Sequence, residues 1–351
     1  SFFTFQTLSY LIDIYRQKTE AQKNFINLSL YIALFPQLVA GPIERFSHLH
    51  KQLFSEQKFN YTFFQHGGRL ILYGLFIKMC VADNISPVVD QIFEQQNEAS
   101  AIQLVLGALL FGIQIYSDFH GYSLIAIGTS RLLGIELMDN FNSPYTATSI
   151  REFWSKWHIS LSTWFRDYLY IPLGGSRGST WMKVRNTFAI FIVSGFWHGA
   201  NWTFIVWGFL NALYFLPLLL TNTNRNSTGI VAEGSLLPSI KEFGAMLSTF
   251  SLTVFAWIFF RAENIQDAFL YLRQIFTLTG GQNTFMKTNT YLLMTIITGV
   301  GILVLLALEL RTLRRRKDEI QFSSIGLMTI VLLILFFGAF KNQADFIYFQ
   351  F

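Results

Sequence analysis

Apolar runs of membrane-spanning length recur from one end of the chain to the other, separated by short polar stretches. Residues 1–15 read as the end of a membrane segment, and 16–24 as a basic loop. Residues 25–43 are apolar but contain Pro36, Gly41 and Pro42, so a broken or re-entrant segment is predicted, since proline removes a donor and clashes with the preceding turn. A polar stretch, 44–60, leads into a span over 61–81, interrupted at Gly67-Gly68-Arg69. Residues 82–100 hold Asp83, Asp90, Glu94 and Glu98 and no base, which predicts an outer loop. The run 101–133 exceeds one ordinary span, and its polar centre, 118–122, is the predicted point of division. After a polar loop (134–148), residues 151–171 mix Trp, Arg and Lys in the pattern of a tilted or interfacial helix. Residues 187–200 and 202–220 form a predicted hydrophobic hairpin that turns at 198–201. A loop (221–243), a span (245–260) and an amphipathic stretch (261–290) follow. Two further spans, 291–310 and 323–340, flank the basic loop 311–321, and the tail 341–351 is predicted to emerge outside.

Composition agrees with that pattern. Of 351 residues, 52% are hydrophobic and 13% charged, against about 25% charged in soluble domains. The chain reads as an all-α polytopic membrane protein. The basic turn 174–186 (Arg177, Lys183, Arg185) and the loop 311–321 mark the cytoplasmic side, and the predicted spans alternate consistently between them. The formal charge of +5 sits in such loops and calls for no nucleic-acid partner. The single cysteine, Cys80, excludes an intrachain disulfide framework and a Cys-rich metal site, and its apolar setting suits a core residue.

Polar, proton-handling side chains inside a membrane protein are expensive, and that cost favours a functional role. His198 follows Phe196-Trp197 and precedes Gly199, and its local sequence is balanced between a structural histidine and a proton carrier. His158 lies among Trp154, Trp157 and Trp164, where an interfacial anchor is the simpler reading of that residue alone. Neither has metal-ligand spacing around it, so no metal is expected. Arg166 and Asp167 are chain neighbours that would diverge on an α-helix, so each is expected to have its own partner. Asp118 and His120 are expected to shape an intramembrane pocket. The turn Gly174-Gly175-Ser176-Arg177-Gly178 could wrap phosphate with backbone N–H groups and one cation, or serve as a plain cytoplasmic turn. The nucleophile-elbow and dinucleotide signatures are absent.

Several ordered motifs together resemble the membrane-bound O-acyltransferase family, in its bacterial alginate O-acetylation group. They include Leu34-Phe-Pro-Gln-Leu-Val-Ala-Gly-Pro-Ile43, Asp118-Phe119, Trp157-His158-Ile-Ser-Leu-Ser162, Arg166-Asp167-Tyr168, Leu173-Gly-Gly175, Arg185-Asn186, Trp197-His198-Gly199-Ala200-Asn201 and Phe346-Ile-Tyr-Phe349. The resemblance implies a ring of helices with re-entrant and interfacial elements around a central funnel. It implies one acyltransferase domain over 1–351, without its N-terminal spans, in the bacterial inner membrane. It places the family's invariant histidine at His198 and its second functional histidine at His158. Asp118, Trp157, Arg166, Asp167, Trp197 and Asn201 are then expected around the substrate, and Arg177 and Asn186 around the donor. The implied reaction moves acetyl from acetyl-CoA to an envelope polysaccharide, directly or through a secreted SGNH-type partner. Two alternatives stay open: D-alanyl transfer to teichoic acid from a carrier protein, and, in a different class, a proton-coupled transporter or flippase. The segment around Gly121-Tyr-Ser-Leu124 is closer to the D-alanylating relatives, and the Gly174-Gly175 turn to the O-acetylating ones.

Overall fold

The computed structural model describes residues 2–221, 223, 231–232, 238–278, 299, 301–307, 309, 323–340 and 345–347. All regular structure among them is helical. The helices are α1 (Phe2–Tyr15), α2 (Phe25–Ile32), α3 (Phe46–Phe54), α4 (Tyr61–Glu94) and α5 (Ala101–Leu132). They continue with α6 (Ile150–Lys156), α7 (Ile159–Phe165), α8 (Thr180–His198), α9 (Trp202–Leu220), α10 (Ile240–Arg261), α11 (Ile265–Thr277) and α12 (Ser324–Phe337). By length and hydropathy α4, α5, α9 and α10 can each cross a membrane.

The predicted division of 101–133 is not observed. α5 is one continuous helix of 32 residues, about 48 Å long at 1.5 Å per residue. The polar centre does not break it because its charge is met from outside. Lys78 Nζ lies 2.6 Å from Asp118 Oδ1 and 2.7 Å from Asp83 Oδ1. The predicted acidic loop after residue 81 is likewise helix as far as Glu94, with Asp83 drawn inward by Lys78. A π turn over Ile77–Ala82 makes this pairing. An i→i+5 turn brings residues five apart towards one face, where an α-helix would separate them. Its displaced carbonyls find donors: Asn84 Nδ2 reaches Met79 O and Cys80 O, and the Ala339 N–H reaches Met79 O. Cys80 is core, as expected, at 2% exposure.

Gly67 and Gly68 do not interrupt α4; Gly67 is one of its crossing points on α5. A Cβ on Gly67 would stand 2.7 Å from the Gly128 carbonyl, and one on Gly74 2.6 Å from that of Gly121. The backbones therefore touch at two levels seven residues apart, as small residues permit inside membranes. The α8–α9 hairpin forms as predicted and repeats the device. Gly195 faces the Phe204 carbonyl and Gly208 that of Phe191. α8 begins at Thr180, inside the stretch read as cytoplasmic turn, because Ser179 caps it through the Met182 N–H. Exposed Trp181 and Trp202, at the starts of α8 and α9, mark the two interfaces.

The segment after α2 is broken, as Pro36 and Pro42 require, and buries one side, including Leu34, Ala40 and Ile43, while Phe35, Leu38 and Val39 stay exposed. Its last residues carry Glu44, which is fully buried. One Glu44 oxygen accepts the Met138 N–H and the other bonds His48 Nδ1 at 2.7 Å. The tail does not emerge outside over the residues described. Phe346 packs on Phe119 and Tyr122, and the Ile347 N–H donates to Asp118 Oδ2 at 2.6 Å. The loop 311–321, and nearly all of 221–237 and 279–298, lie outside the described residues.

Two outcomes follow. Gly74→Val should lower the unfolding temperature in detergent, because overpacking costs about 1–3 kcal/mol. Gly68→Ala, whose Cβ would meet nothing within 4 Å, should leave it unchanged or raise it. The second concerns pH. The Glu44 hydrogen bond raises the His48 pKa above its ordinary 6.5, against opposing desolvation. That stabilisation is complete below pH 6.5 and lost as pH rises through the folded-state value. The Tm gap between wild type and His48→Gln should therefore be widest near pH 6 and close in alkali; a gap that widens with pH would contradict the assignment.

Candidate active site

The position of His158 is set by a break between α6 and α7. His158 adopts φ 42°, ψ 55°, a left-handed conformation that costs a non-glycine residue of order 1–3 kcal/mol. Neighbouring chain holds it there. The Ile159 N–H donates to Asn140 O, and the Asn142 N–H to Lys156 O. Ser160 Oγ donates to Asn140 Oδ1 at 2.6 Å and accepts the Ile43 N–H at 2.9 Å, while Asn140 Nδ2 reaches Ser123 Oγ on α5. The broken segment, α5 and α7 thus meet directly behind the imidazole.

The His158 ring is 1% exposed, stacked on Phe2 at 5.9 Å and edge-on to Phe119 at 4.7 Å. Both its ring nitrogens are buried with no hydrogen-bond partner among the described residues. Buried polar atoms are rarely left so, and a catalytic role is one of the standard reasons. His198 ends α8 inside an aromatic box of Trp197, Trp207 and Phe260, with ring centroids 4.7–5.1 Å away. Phe2 links the two histidines, since it also meets Trp197 edge-on at 5.6 Å.

A cavity of about 590 Å³ opens between α6–α7 and the α8–α9 hairpin. Its lining includes Ile159, next in chain to His158, and Ser194, one helical turn before His198. Arg166 and Tyr170 line its other end, next to the basic turn, where Tyr170 Oη and Ser176 Oγ are 3.2 Å apart. The walls are mostly apolar, with Phe165, Phe191 and Phe215 among them, but Arg151 and several hydroxyl side chains also line them.

The other predicted residues fall in different places. Trp197 stands between Phe5 and His198. Trp157 is core, packed on Phe141, Phe153 and Trp257. Asn201 caps α9 through the Thr203 N–H and donates to Glu263 O. Asp118 is held by Lys78 and the chain end. Asn186 is fully buried and donates to the Leu173 and Gly175 carbonyls while Arg185 donates to its oxygen. It therefore shapes the glycine turn. Arg177 is exposed on that turn. Arg166 and Asp167 do not take separate partners: Nε and Oδ1 pair at 2.8 Å. They open a π turn, Arg166–Tyr170, where the α-helical divergence of neighbours no longer applies. Among the described residues no cluster of His, Cys, Asp and Glu could hold a metal ion.

Sequence reasoning missed Lys78, although a lysine in an apolar run is itself a signal. It also missed Glu309, which accepts the Tyr116 hydroxyl at 2.6 Å and lies 3.9 Å from His120 Nε2 beside a polar cavity of about 170 Å³.

Residues 3–241 match the model of the membrane-bound O-acyltransferase family. The chain belongs to that family. It is 41% identical over 277 residues to a probable alginate O-acetylase, AlgI, of Pseudomonas aeruginosa, covering 79% of this chain and 51% of that protein. A peptidoglycan O-acetyltransferase of Helicobacter pylori is 36% identical over 306 residues, 80% of this chain and 56% of the relative. A teichoic acid D-alanyltransferase of Bacillus subtilis is 29% identical over 226 residues, 61% and 56% of the two chains. The chain thus spans about half the length of these curated relatives. It is a membrane protein of helical architecture, as its composition and spans anticipate.

Asn140→Ala should leave membrane insertion intact but loosen His158, since it strips Ser160 Oγ and Ser123 Oγ of a buried partner. The cost in stability should be about 1–3 kcal/mol, and transfer activity should fall with it. Full activity with a lowered melting temperature would separate Asn140 from the site.

Proposed function

We propose that the protein transfers an acetyl group from a cytoplasmic thioester, acetyl-CoA, to a hydroxyl of an envelope polysaccharide. The acceptor is reached directly or through a secreted SGNH-type partner, and the protein works in the bacterial inner membrane. One observation carries the reading. The large, mostly apolar cavity is lined by Arg166 and Tyr170, the latter bonded to Ser176 of the glycine turn, and by Ile159, next in chain to His158, and Ser194, one helical turn before His198. An amphipathic donor with a charged end and a slender acyl-bearing arm fits that shape. The relatives named as O-acetylases and O-acetyltransferases support acetyl as the group moved.

His198 acts as general base. Its imidazole takes the acceptor hydroxyl proton as that oxygen attacks the thioester carbonyl. The new C–O bond forms, the C–S bond breaks, and the proton passes to the leaving thiolate, so no net proton is released. His158, in a dry pocket with two ring nitrogens to offer, orients the donor and steadies the charge developing on the carbonyl oxygen. Asp118 is a positioning residue in this scheme, and Arg166 stands at the donor's entrance.

His198→Ala, inserted normally, should lower transfer of radiolabelled acetyl by about 10²–10⁴-fold, the worth of general-base help. Undiminished transfer would remove the mechanism. Comparing acetyl-CoA with a D-alanyl carrier-protein thioester separates acetyl transfer from D-alanylation. Transport without acyl consumption would instead support the flippase reading.

A further inference from the structure

At the basic end of the molecule two guanidiniums share one aromatic ring. Cζ of Arg45 lies 5.1 Å from the Tyr168 centroid, and that of Arg16 5.6 Å. Tyr168 belongs to the same π turn as Arg166, which lines the large cavity. Asp13 and Asp167 stand nearby and offset part of this charge, which leaves the three guanidiniums of Arg16, Arg45 and Arg166 one positive charge in excess. Asp13 accepts the Tyr168 hydroxyl at 2.6 Å, and Asp167 is engaged by Arg166. Among the described residues neither Arg16 nor Arg45 forms an ion pair. Their hydrogen bonds go to backbone carbonyls: Arg16 to Asp167 O at 3.3 Å and Arg45 to Ile43 O at 3.1 Å. Both are partly buried, and each guanidinium has five N–H donors. An excess of guanidinium over carboxylate, with N–H donors to spare among the described residues, suits an anion that completes the group. The loop after Arg16 adds Lys18 and Lys23 against Glu20.

We propose that Arg16, Arg45 and Arg166 form a phosphate-binding cradle at the mouth of the large cavity, and that it recognises the bisphosphorylated adenosine end of a coenzyme A thioester. The proposal rests on the donor reading above and narrows it. Planar guanidiniums match phosphate oxygens two at a time. A carrier-protein donor brings a single phosphodiester to this entrance, whereas coenzyme A brings a pyrophosphate and a 3′-phosphate. The cavity beyond Arg166 then takes the pantetheine arm and the acyl group, with the phosphates left at the rim.

The test is a calorimetric titration of adenosine 3′,5′-bisphosphate into the membrane protein in nanodiscs, with and without added salt. Wild type should bind, more weakly at high salt. Arg16→Gln and Arg45→Gln should each raise Kd at least tenfold, the double variant should abolish binding, and Arg45→Lys should restore part of it. Absence of binding to wild type, or equal binding by wild type and the double variant, would overturn the cradle. A second readout compares acetyl-CoA with S-acetylpantetheine, which lacks phosphate. The kcat/KM ratio of the two donors should fall at least tenfold in the double variant; an unchanged ratio would count against it. Failure of transfer from both donors would sink the acetyl-transfer reading alone, because the bisphosphate titration does not depend on turnover.

Discussion

The ammonium of Lys78 sets the terms for the helical bundle. It stands between two buried carboxylates, on α4 and α5, within segments long enough to span a bilayer. An ion there is tolerated only if it is paired, and removing one partner of such a group is far costlier than never having built it. Several features follow from that requirement. The π turn aligns Lys78 with Asp83. α5 stays unbroken through its polar centre because Asp118 is compensated. The second Asp118 oxygen is met by the Ile347 N–H, which draws the chain end back among the helices. The close glycine crossings of α4 and α5 keep the two carboxylates within reach of one ammonium.

The same logic reaches the site through a second polar chain. The backbone is broken at His158, and a broken backbone in a membrane must have its polar groups met by protein. The break at His158 is met by Asn140 and by the residues around Lys156. Asn140 in turn is held by Ser123 and Ser160, and Ser160 by the backbone of Ile43. The proline-broken segment after α2 is therefore the back wall of the site. His198 reaches the same region differently, from the end of an intact helix whose partner, α9, packs backbone to backbone through Gly195 and Gly208.

Much of this was legible in the residues. The hairpin turning at 198–201, the broken segment around Pro36 and Pro42, and the buried Cys80 follow from hydropathy and proline chemistry alone. The errors share one cause. Residues 82–94, 118–122 and 180–186 look like loop or break by hydropathy because they are polar, but their key polar groups have a partner or a cap at hand. Asp83 and Asp118 have Lys78, and Thr180 begins a helix because Ser179 caps it. A pattern of hydropathy records what a side chain costs in apolar surroundings and is blind to the partner that offsets it. For the same reason Arg166-Asp167 was misjudged, since the α-helical rule for neighbours assumes an α-helix and the chain makes a π turn there. Aromatic neighbours make both imidazoles conspicuous, but on local sequence His158 is more simply an interfacial anchor, and its pairing with His198 rests on the family resemblance. Asn186 and Asn201 stood out as motif residues but are occupied by backbone groups.

The charged residues divide the molecule into two kinds of polar site, and the division bears on function. Between α4 and α5 both carboxylates of the Lys78 group are matched. At the basic end, Arg16 and Arg45 lie over Tyr168, with Asp13 and Asp167 offsetting only part of the charge of these two and Arg166. Between these extremes runs a cavity with mostly apolar walls, ending near two imidazoles in dry aromatic surroundings. In low dielectric a hydrogen-bond donor or acceptor acts on developing charge far more strongly than in water. A neutral arm sliding along apolar walls brings its reactive carbonyl to that place without carrying charge there. On the proposed reading, ionic recognition stays with Arg16, Arg45 and Arg166 while the two imidazoles act as polarisable groups in aromatic surroundings, an arrangement that suits acyl transfer.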